Sequence, residues 1–391
     1  MQSNQPQWLW QSDSWPTLTY DASSLQAAIS AARVAQGRLI GKAEAVGGSG
    51  LSLSATQHDA WTNDALATAA IEGEFLNLDA VRSSVARRLG IDSSFTAAVP
   101  RNIEGLLDVM EDAAANWKSD LTNARLYRWQ AALFDGEFSV LRKVRVGAYR
   151  THDEPMQIVS GPIGRETVHY EAPPSSAVPA EMRAFCAWFN QPRKLNAALK
   201  MDGIVRAGLA HCWFETIHPF EDGNGRVGRA IVDMALAQDV QMPFRLHGVS
   251  TEMRRSQKQY YTALNTAQRS NGDVTPWLLW FLEMYRAACV STIALIDEAL
   301  QRANFWAQHR QVALNTRQRK VINKLLEAGA GGFESGLTSR KYIAMTGAAA
   351  ATATRDLTEL SDANLSIKHG AGRSIYYDLA LKDWGWKPAV K

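Results

Sequence analysis

The sequence predicts a mainly α-helical protein with one short β-hairpin and a separate C-terminal domain. Apolar residues recur at helical spacing through most of the chain, as they do from Leu25 to Leu39. Residues 155–171 differ, because two β-prone runs there flank Gly161-Pro-Ile-Gly164, a hairpin pattern. Near residue 312 a new succession of short helices and alternating residues begins. We therefore expect a helical core, a hairpin that lies over it as a flap, and a C-terminal domain of another fold.

The composition is that of an ordinary soluble protein. Of 391 residues, 46% are hydrophobic and 21% are charged, and the net charge is +3. No apolar run approaches the length of a membrane span, and the N-terminus lacks the basic-then-apolar layout of a signal peptide. The cysteines are scattered and odd in number, which predicts reduced core thiols at Cys186, Cys212 and Cys289. We expect a cytoplasmic protein without a membrane segment.

Helical periodicity, read together with capping and terminating residues, divides the chain into successive helices. Asp21 is a candidate cap for the first helix, and Gly73 is a candidate terminator of the second. The predicted helices span residues 22–45, 59–72, 76–89, 102–117, 121–132, 179–189, 192–200, 205–216, 256–268 and 277–296. The helix over 205–216 is strongly apolar, so we expect it to be central and buried.

The stretch from His218 to Arg229, His-Pro-Phe-Glu-Asp-Gly-Asn-Gly-Arg-Val-Gly-Arg, concentrates the residues that a nucleotide triphosphate requires. Its glycines, Gly223, Gly225 and Gly228, allow the backbone to come close to a ligand. Their N–H groups stand at the start of a helix, where they form an anion site that the helix dipole strengthens. The stretch therefore predicts a phosphate-binding loop.

The charged residues of this stretch have complementary uses. Arg226 and Arg229 are three apart, so on a helix they share a face and can grip phosphate oxygens. Asp222 offers the oxygen ligand that Mg²⁺ prefers, and His218 is a candidate general base. The alternative is a tight turn with a structural histidine, which leaves both arginines without a role. His211 has no neighbouring set of zinc ligands, so we expect it to pack in the core.

This stretch matches the signature His-x-Phe-x-(Asp/Glu)-Gly-Asn-Gly-Arg-x-x-Arg position for position, and the chain therefore resembles the Fic (filamentation induced by cAMP) family. The resemblance implies a Fic-type helical core at about 140–285 within a catalytic domain over 91–300. It implies protein adenylyltransferase activity, the transfer of AMP from ATP to a Ser, Thr or Tyr hydroxyl of a protein. In that reaction His218 is the catalytic base, Asp222 binds Mg²⁺, and ATP contacts His218, Gly223, Asn224, Gly225, Arg226, Val227, Gly228 and Arg229.

A second stretch, Thr68-Ala-Ala-Ile-Glu-Gly73, resembles the inhibitory helix motif (Ser/Thr)-x-x-x-Glu-(Gly/Asn) of many Fic proteins. Its position before the core is typical of class II members. The resemblance implies that Glu72 inhibits the enzyme through an ion pair with Arg229, whereas a lone glutamate at a helix end is usually a solvated charge. Residues 1–90 form the predicted N-terminal helical domain, and they resemble the domain of unknown function that precedes many Fic domains.

Two further features follow from the resemblance. The hairpin region Met156–Pro162 is expected to lie beside the active site as a flap that aligns the target peptide by strand addition. Tyr260 and Tyr261 match a Tyr-Tyr pair that contacts the adenosine, although adjacent tyrosines are more often core or interface residues. Gln268 stands where relatives often have asparagine.

Residues 312–382 resemble a winged-helix domain. Predicted helices over 317–326, 339–345 and 349–360 precede an alternating hairpin over 365–379. This part of the chain has an excess of basic residues, which attract phosphate backbones. Its predicted recognition helix is poor in the Arg, Asn and Gln that read base edges, so weak DNA contact and protein docking both stay open.

Two classes of function therefore remain. The first is an autoinhibited protein adenylyltransferase that uses ATP and Mg²⁺, acts on target proteins and is capable of self-modification; removal of AMP would reuse the same residues. The second is a DNA-binding regulator whose Fic core senses nucleotide. The sequence leaves the target and a homodimer open.

Overall fold

The computed structural model describes residues 7–48, 54–91, 99–134, 144–161, 165, 167–191, 201–243, 246–329, 331, 333–382 and 384. The chain divides into two compact units, residues 1–293 and 294–391. The division falls inside a long helix, and the predicted domain bounds at residues 300 and 312 stay predictions. The first unit holds both the predicted N-terminal domain over 1–90 and most of the predicted catalytic domain, so the boundary between those two stays a prediction.

The predicted mainly helical fold is confirmed. The helices from residue 22 onwards are α1 (Ala22–Gly48), α2 (Ser54–Ile71), α3 (Leu78–Arg88), α4 (Arg101–Ala115), α5 (Asn123–Ala132), α6 (Val178–Phe189), α7 (Gly203–Ile217), α8 (Asn224–Val240), α9 (Val249–Arg255), α10 (Gln257–Gln268) and α11 (Thr275–Gln308). Two bounds were wrong: α2 begins well before residue 59, and α11 runs beyond residue 296. The predicted helix over 192–200 lies outside the described residues.

Helices α7 and α8 form the centre of the first unit. Every residue of α7 from Ile204 to Ile217 is buried, as the sequence predicts for its apolar composition. Most of α8 is buried as well, and α8 packs against α7, α4 and α5. The loop over 218–223 joins the two helices, so the signature residues lie at the junction of two core helices.

Hydrogen bonds from Arg33 and Gln36 connect the N-terminal helix α1 to α7 and α8. Arg33 donates to Asp202, the N-terminal cap of α7, at 2.8 Å, and to Asp239 of α8 at 3.0 Å. Gln36 also donates to Asp239, at 3.1 Å. These bonds explain why residues of the N-terminal segment belong to the same compact unit as the signature.

Helix α11 contains a long apolar stretch that was not predicted from the sequence. By length and composition alone it could cross a membrane, with a mean hydropathy of 1.4 in its most apolar window, 44% of which is buried. Its residues Trp277, Phe281 and Tyr285 are fully buried in the first unit. Packing in the first unit accounts for these three aromatic residues. The three cysteines are buried and free, as predicted.

The predicted hairpin of the first unit is confirmed. Strand β1 (Gln157–Ser160) pairs with β2 (Thr167–Glu171) in antiparallel fashion, and an irregularity falls between Ile158 and Val159. The turn over 162–164, including part of the predicted flap, lies outside the described residues. Tyr170 of β2 is buried and donates to the Thr216 carbonyl at 2.5 Å, which fixes the hairpin against α7.

The second unit has the element order of a winged helix, as predicted. Helices α12 (Thr316–Glu327), α13 (Ser339–Thr346) and α14 (Ala350–Asp362) precede strands β3 (Ser366–His369) and β4 (Tyr376–Leu379). The strands form an antiparallel hairpin, to which Leu337 adds a single bridge. Asp356 is buried and accepts hydrogen bonds from Arg317 and Tyr342, which joins all three helices.

Candidate active site

A cavity of about 770 Å³ lies at the junction of α7 and α8. Its walls come from the end of α2, the β1–β2 hairpin, the α7–α8 junction and α10. The structure thus brings together residues that are far apart in the sequence, among them Glu72, Ser160, His169, Glu215, His218, Gly225, Tyr260, Tyr261 and Gln268.

His218 forms the C-terminal cap of α7 in a left-handed backbone conformation, with φ 49° and ψ 61°. Its N–H donates to the Phe214 carbonyl at 2.9 Å, which closes the last turn of the helix. A residue with a Cβ adopts this conformation rarely, and it persists only where the surroundings hold it. The imidazole consequently leaves the helix direction and faces the cavity.

Arg150 supplies that support. Its buried guanidinium donates to the carbonyl of His218 at 2.8 Å and to that of Ile217 at 3.2 Å. It also donates to the Pro173 carbonyl at 2.6 Å and to Ser175 Oγ at 3.0 Å. Burial lowers the pKa of Arg150 to about 10, so it remains a cation at neutral pH, where it complements the C-terminal end of α7. The sequence analysis missed Arg150, because nothing local marks it.

The loop between the helices is closed by the side chain of Asn224. Its Oδ1 accepts from the Phe220 N–H at 2.9 Å, and its Nδ2 donates to the Phe220 carbonyl at 2.8 Å. Gly223 has φ 90°, in the region that favours glycine, and it is the N-terminal cap of α8. The amide of Asn224 is therefore used within the loop, and its predicted contact with ATP would fall to its backbone N–H.

The predicted ion pair between Glu72 and Arg229 is present. Arg229 Nη2 lies 2.7 Å from Glu72 Oε1. Arg229 also donates to Thr68 through Nε, 2.7 Å from Oγ1, and through Nη2, 3.0 Å from the carbonyl. Arg229 is buried, so the end of α2 covers the last arginine of the signature.

Arg226 has a carboxylate partner that the sequence analysis missed. Its Nη1 lies 2.8 Å from Glu74 Oε2, and Glu74 Oε1 accepts from Asn102 Nδ2 at 2.9 Å. Asp222 is more distant, 3.7 Å from Arg226 Nη2. The spacing Glu72-Gly-Glu74 could have indicated this ion pair. Two carboxylates that are two residues apart can each pair with one of two arginines that are three residues apart.

Two glycines of the signature accommodate glutamates that come from two different helices packed on α8. A Cβ placed on Gly225 would lie 2.1 Å from Glu72 Oε1, and one placed on Gly228 would lie 2.4 Å from Glu215 Oε1. The sequence analysis assigned Gly228 to close approach of a ligand, but in the structure it allows close approach of α7. Val227 is fully buried, and its N–H donates to the Gly223 carbonyl at 3.1 Å. ATP contacts at both positions stay predictions.

Glu215 lies beneath His218. Its Oε2 is 3.6 Å from His218 Nδ1, and its side chain is 6% exposed. Burial raises the pKa of this carboxyl, but His218, His211 and Arg229 outweigh burial and hold the pKa below its usual value. Burial lowers the pKa of His211, which is neutral, packs in the core as expected, and lies 2.9 Å from the Tyr260 hydroxyl.

The adjacent tyrosines have different surroundings. Tyr260 is 2% exposed and lies under the cavity, whereas Tyr261 is 47% exposed. The Tyr261 hydroxyl donates to the Ile71 carbonyl at 3.1 Å, as does Gln257 Nε2 at 3.2 Å. Both predicted adenosine contacts line the cavity, and Tyr261 also holds the last carbonyl of α2.

Asp222 fits a magnesium ion that is shared with phosphates. One carboxylate oxygen accepts from the Gly223 N–H at 2.6 Å, and the side chain is 32% exposed. Among the described residues no three His, Cys, Asp or Glu side chains gather as a metal site. Because Mg²⁺ commonly takes one or two carboxylates together with phosphate and water, a single aspartate suffices beside bound ATP.

Comparison with known protein families agrees with this geometry. Residues 8–91 match the model of a domain of unknown function, DUF4172, and residues 120–236 match the Fic/DOC family model. The chain thus contains a segment that matches the Fic/DOC family and, before it, a segment that matches DUF4172.

Curated relatives match over limited stretches. "Probable protein adenylyltransferase aq_aa38" of Aquifex aeolicus (strain VF5) is 29% identical over 99 residues, which are 25% of this chain and 27% of that protein. "Protein adenylyltransferase fic-1" of Caenorhabditis elegans is 30% identical over 98 residues, 25% of this chain and 17% of that protein. These matches span less than a third of either relative.

A solved structure extends the likeness to most of the chain. A Fic family protein from Desulfovibrio desulfuricans G20 superposes with a TM-score of 0.53 at 21% identity, over 93% of this chain and 98% of that one. At this identity the likeness establishes the fold. The first unit accordingly has the Fic fold.

Proposed function

We propose that this protein transfers AMP from ATP to a hydroxyl group of a protein side chain, and that Glu72 holds the enzyme in an inhibited state. One observation carries the proposal: His218 and Gly225, which is in the first turn of α8, line one cavity, which is large enough for a nucleotide. The names of the Aquifex and Caenorhabditis relatives support the same reaction.

The chemistry requires a base, an electrophile and a place for the leaving group. His218 takes the proton of a Ser, Thr or Tyr hydroxyl, and the hydroxyl oxygen forms a bond to the α-phosphorus. The bond between the α-phosphorus and the bridging oxygen breaks, and pyrophosphate leaves. The N–H groups at the start of α8 point towards developing negative charge, so the site contributes positioning and electrostatic stabilisation.

The charged residues of the signature complete the site. Arg226 and Arg229 offer guanidinium groups to the pyrophosphate portion of ATP. Asp222 would hold Mg²⁺, which neutralises phosphate charge when it is bound. Neither arginine is free for this role in the structure, since Glu74 and Glu72 occupy them.

Inhibition follows from that occupation. A guanidinium that is paired with a carboxylate has fewer N–H groups for a phosphate, and the carboxylate repels an approaching anion. Glu72 Oε1 also occupies the space over Gly225, where the backbone would meet the phosphates. Glu74 adds a second carboxylate on Arg226. We therefore propose that ATP binds productively only after Glu72 and Glu74 no longer pair with Arg229 and Arg226.

Replacement of Glu72 tests both parts of the proposal. We expect Glu72→Gly to label itself or a protein of a cell lysate when incubated with α-labelled ATP and Mg²⁺, with a mass gain of one AMP. Wild type should label at least roughly tenfold less, because loss of a charge-assisted pair of about 1.5–3 kcal/mol shifts occupancy by that order. Label transfer and mass spectrometry measure the outcome.

Two matched variants serve as controls. Glu327→Gly also replaces an acidic residue at a helix end, but in the second unit, and should leave labelling at the wild-type level. His218→Ala in the Glu72→Gly background should abolish labelling. Equal transfer by wild type and Glu72→Gly would remove autoinhibition, and no transfer by any variant would remove the proposed reaction.

The winged-helix unit motivates a second candidate, a DNA-binding regulator whose Fic domain senses nucleotide. Arg355 on α14 is 68% exposed and its Nε lies 3.8 Å from Glu359 Oε1, an exposed ion pair that a phosphate backbone could displace. A gel shift of random-sequence duplex DNA by the full chain, without AMP transfer by Glu72→Gly, would favour this candidate. Loss of AMP from a labelled protein, dependent on His218, would instead favour removal of AMP at the same site.

A further inference from the structure

A buried carboxylate lies beside His218, in the wall of the same cavity. Glu215 is on the last turn of α7, three residues before His218, and its Oε2 is 3.6 Å from His218 Nδ1. This distance exceeds that of a formed hydrogen bond. Catalytic hydrogen bonds are, however, often long before substrate binds and tighten in the complex.

Each of the two side chains has an unsatisfied polar atom. His218 Nδ1 and Glu215 Oε1 are buried and have no hydrogen-bond partner among the described residues. A buried ionised carboxylate is costly unless hydrogen bonds satisfy it, and a buried imidazole N–H has the same requirement. His218 Nδ1 faces Glu215 Oε2 rather than the unsatisfied Oε1, and a carboxylate oxygen can accept a proton that Nδ1 carries.

The sequence of the signature makes room for this carboxylate. A Cβ on Gly228 would lie 2.4 Å from Glu215 Oε1, so α8 admits the glutamate only with glycine at that position. The Glu215 carbonyl also accepts from Gln268 Nε2 at 3.2 Å, which fixes this turn of α7 against α10. Glu215 is therefore held in place from both neighbouring helices.

Other ionisable groups also lie near Glu215. Burial lowers the pKa of His211 and raises that of Tyr260, so neither offers Glu215 a positive charge at physiological pH, although His211 Nδ1 is a further buried atom without a hydrogen-bond partner among the described residues. The guanidinium of Arg229 attracts Glu215, but it donates hydrogen bonds to Glu72 and Thr68. Cys212 and Tyr170 also lie near Glu215, and burial keeps both neutral.

We infer that Glu215 is a positioning residue for His218: its carboxylate accepts the Nδ1–H of the imidazole and leaves Nε2 as the proton acceptor that faces the cavity. The inference rests on the proposed function for the identity of the reaction, and on these contacts for the geometry. When Nε2 takes the proton of the target hydroxyl, the imidazole becomes a cation. The adjacent carboxylate then stabilises that cation, and no proton passes to Glu215.

The test compares Glu215→Gln with Glu215→Asp. The amide of glutamine keeps the shape but offers either an oxygen or an NH₂ group, so it no longer selects one tautomer. In the Glu72→Gly background we expect Glu215→Gln to lower kcat for AMP transfer roughly 100-fold, with the KM for ATP within about twofold. Glu215→Asp keeps the charge and should recover part of kcat. Glu181→Gln, a half-buried carboxylate on α6, is the matched control.

A second readout does not need activity. Long-range ¹H–¹⁵N spectra of full-length protein labelled at histidine nitrogen report the tautomer of each imidazole, and His218→Ala assigns the signal. We expect the Nδ1–H tautomer at His218 in mildly alkaline buffer, and loss of that preference in Glu215→Gln. The same tautomer in both proteins, or an unchanged kcat in Glu215→Gln, would overturn the inference. If the tautomer changes but Glu72→Gly transfers no AMP, the inference stands and the proposed reaction fails.

Discussion

Two glycines of helix α8 each lie against a glutamate from a neighbouring helix, but the consequences of the two contacts differ. On the α2 side, Glu72 lies over Gly225 and its side chain is 31% exposed. On the α7 side, Glu215 lies over Gly228 and its side chain is 6% exposed. An exposed carboxylate can leave at low cost, because water replaces its partners, whereas a buried one cannot. One glycine thus admits a removable inhibitor, and the other admits a fixed part of the site.

The largest effect on stability should come from filling the α7 side. Gly228→Ala places a Cβ against the buried Glu215 carboxylate and 3.2 Å from His211 Cε1. Neither group can move into solvent, so we expect the free energy of unfolding to fall by about 1–3 kcal/mol. Chemical denaturation followed by circular dichroism measures it. A stability equal to that of wild type would show that α7 and α8 can separate, contrary to the packing described.

An intermediate effect should come from Glu74 on the α2 side. We expect Glu74→Gln to free Arg226 and to tighten ATP binding about two- to fivefold, the effect of losing a partly exposed ion pair worth about 0.5–1 kcal/mol. Isothermal titration calorimetry measures the Kd. Glu154→Gln, an exposed carboxylate near the hairpin, is the control, and an unchanged Kd in Glu74→Gln would exclude Glu74 from inhibition.

The smallest effect on stability should come from filling the α2 side. Gly225→Ala meets only the end of the Glu72 side chain and an Arg229 nitrogen. Because Glu72 can swing into water, and because alanine favours a helix over glycine by about 1 kcal/mol, we expect stability to stay within about 1 kcal/mol of wild type. Thermal unfolding beside Gly228→Ala sharpens the comparison. A loss equal to that of Gly228→Ala would mean that Glu72 is as fixed as Glu215.

Features that depend on residues close together in the chain could be predicted from the sequence. The signature over 218–229, the hairpin and the order of the winged-helix elements could each be predicted, because local spacing determines them. The Glu72–Arg229 pair was accessible only through resemblance to a family, since its partners are 157 positions apart.

Contacts between residues that are far apart in the chain could not be predicted from local sequence patterns. Arg150 supports His218 from 68 positions away, and Glu74 reaches Arg226 from 152 positions away. Gly228 was predicted to be a glycine of the phosphate-binding loop. In the structure, the lack of a side chain at this position makes room for Glu215 of α7. The end of α11 was misplaced because no proline or glycine marks a stop near residue 296.

The hydrogen bonds on the Ile71 carbonyl bear on how the Glu72→Gly experiment is interpreted. Tyr261 and Gln257 anchor the end of α2 to α10 through the backbone of Ile71, a contact that does not depend on the side chain at position 72. Removal of the glutamate therefore withdraws one negative charge while the preceding helix keeps its attachment. A gain of activity in this variant would report the electrostatic contribution of the carboxylate, separate from any unravelling of the helix that bears it.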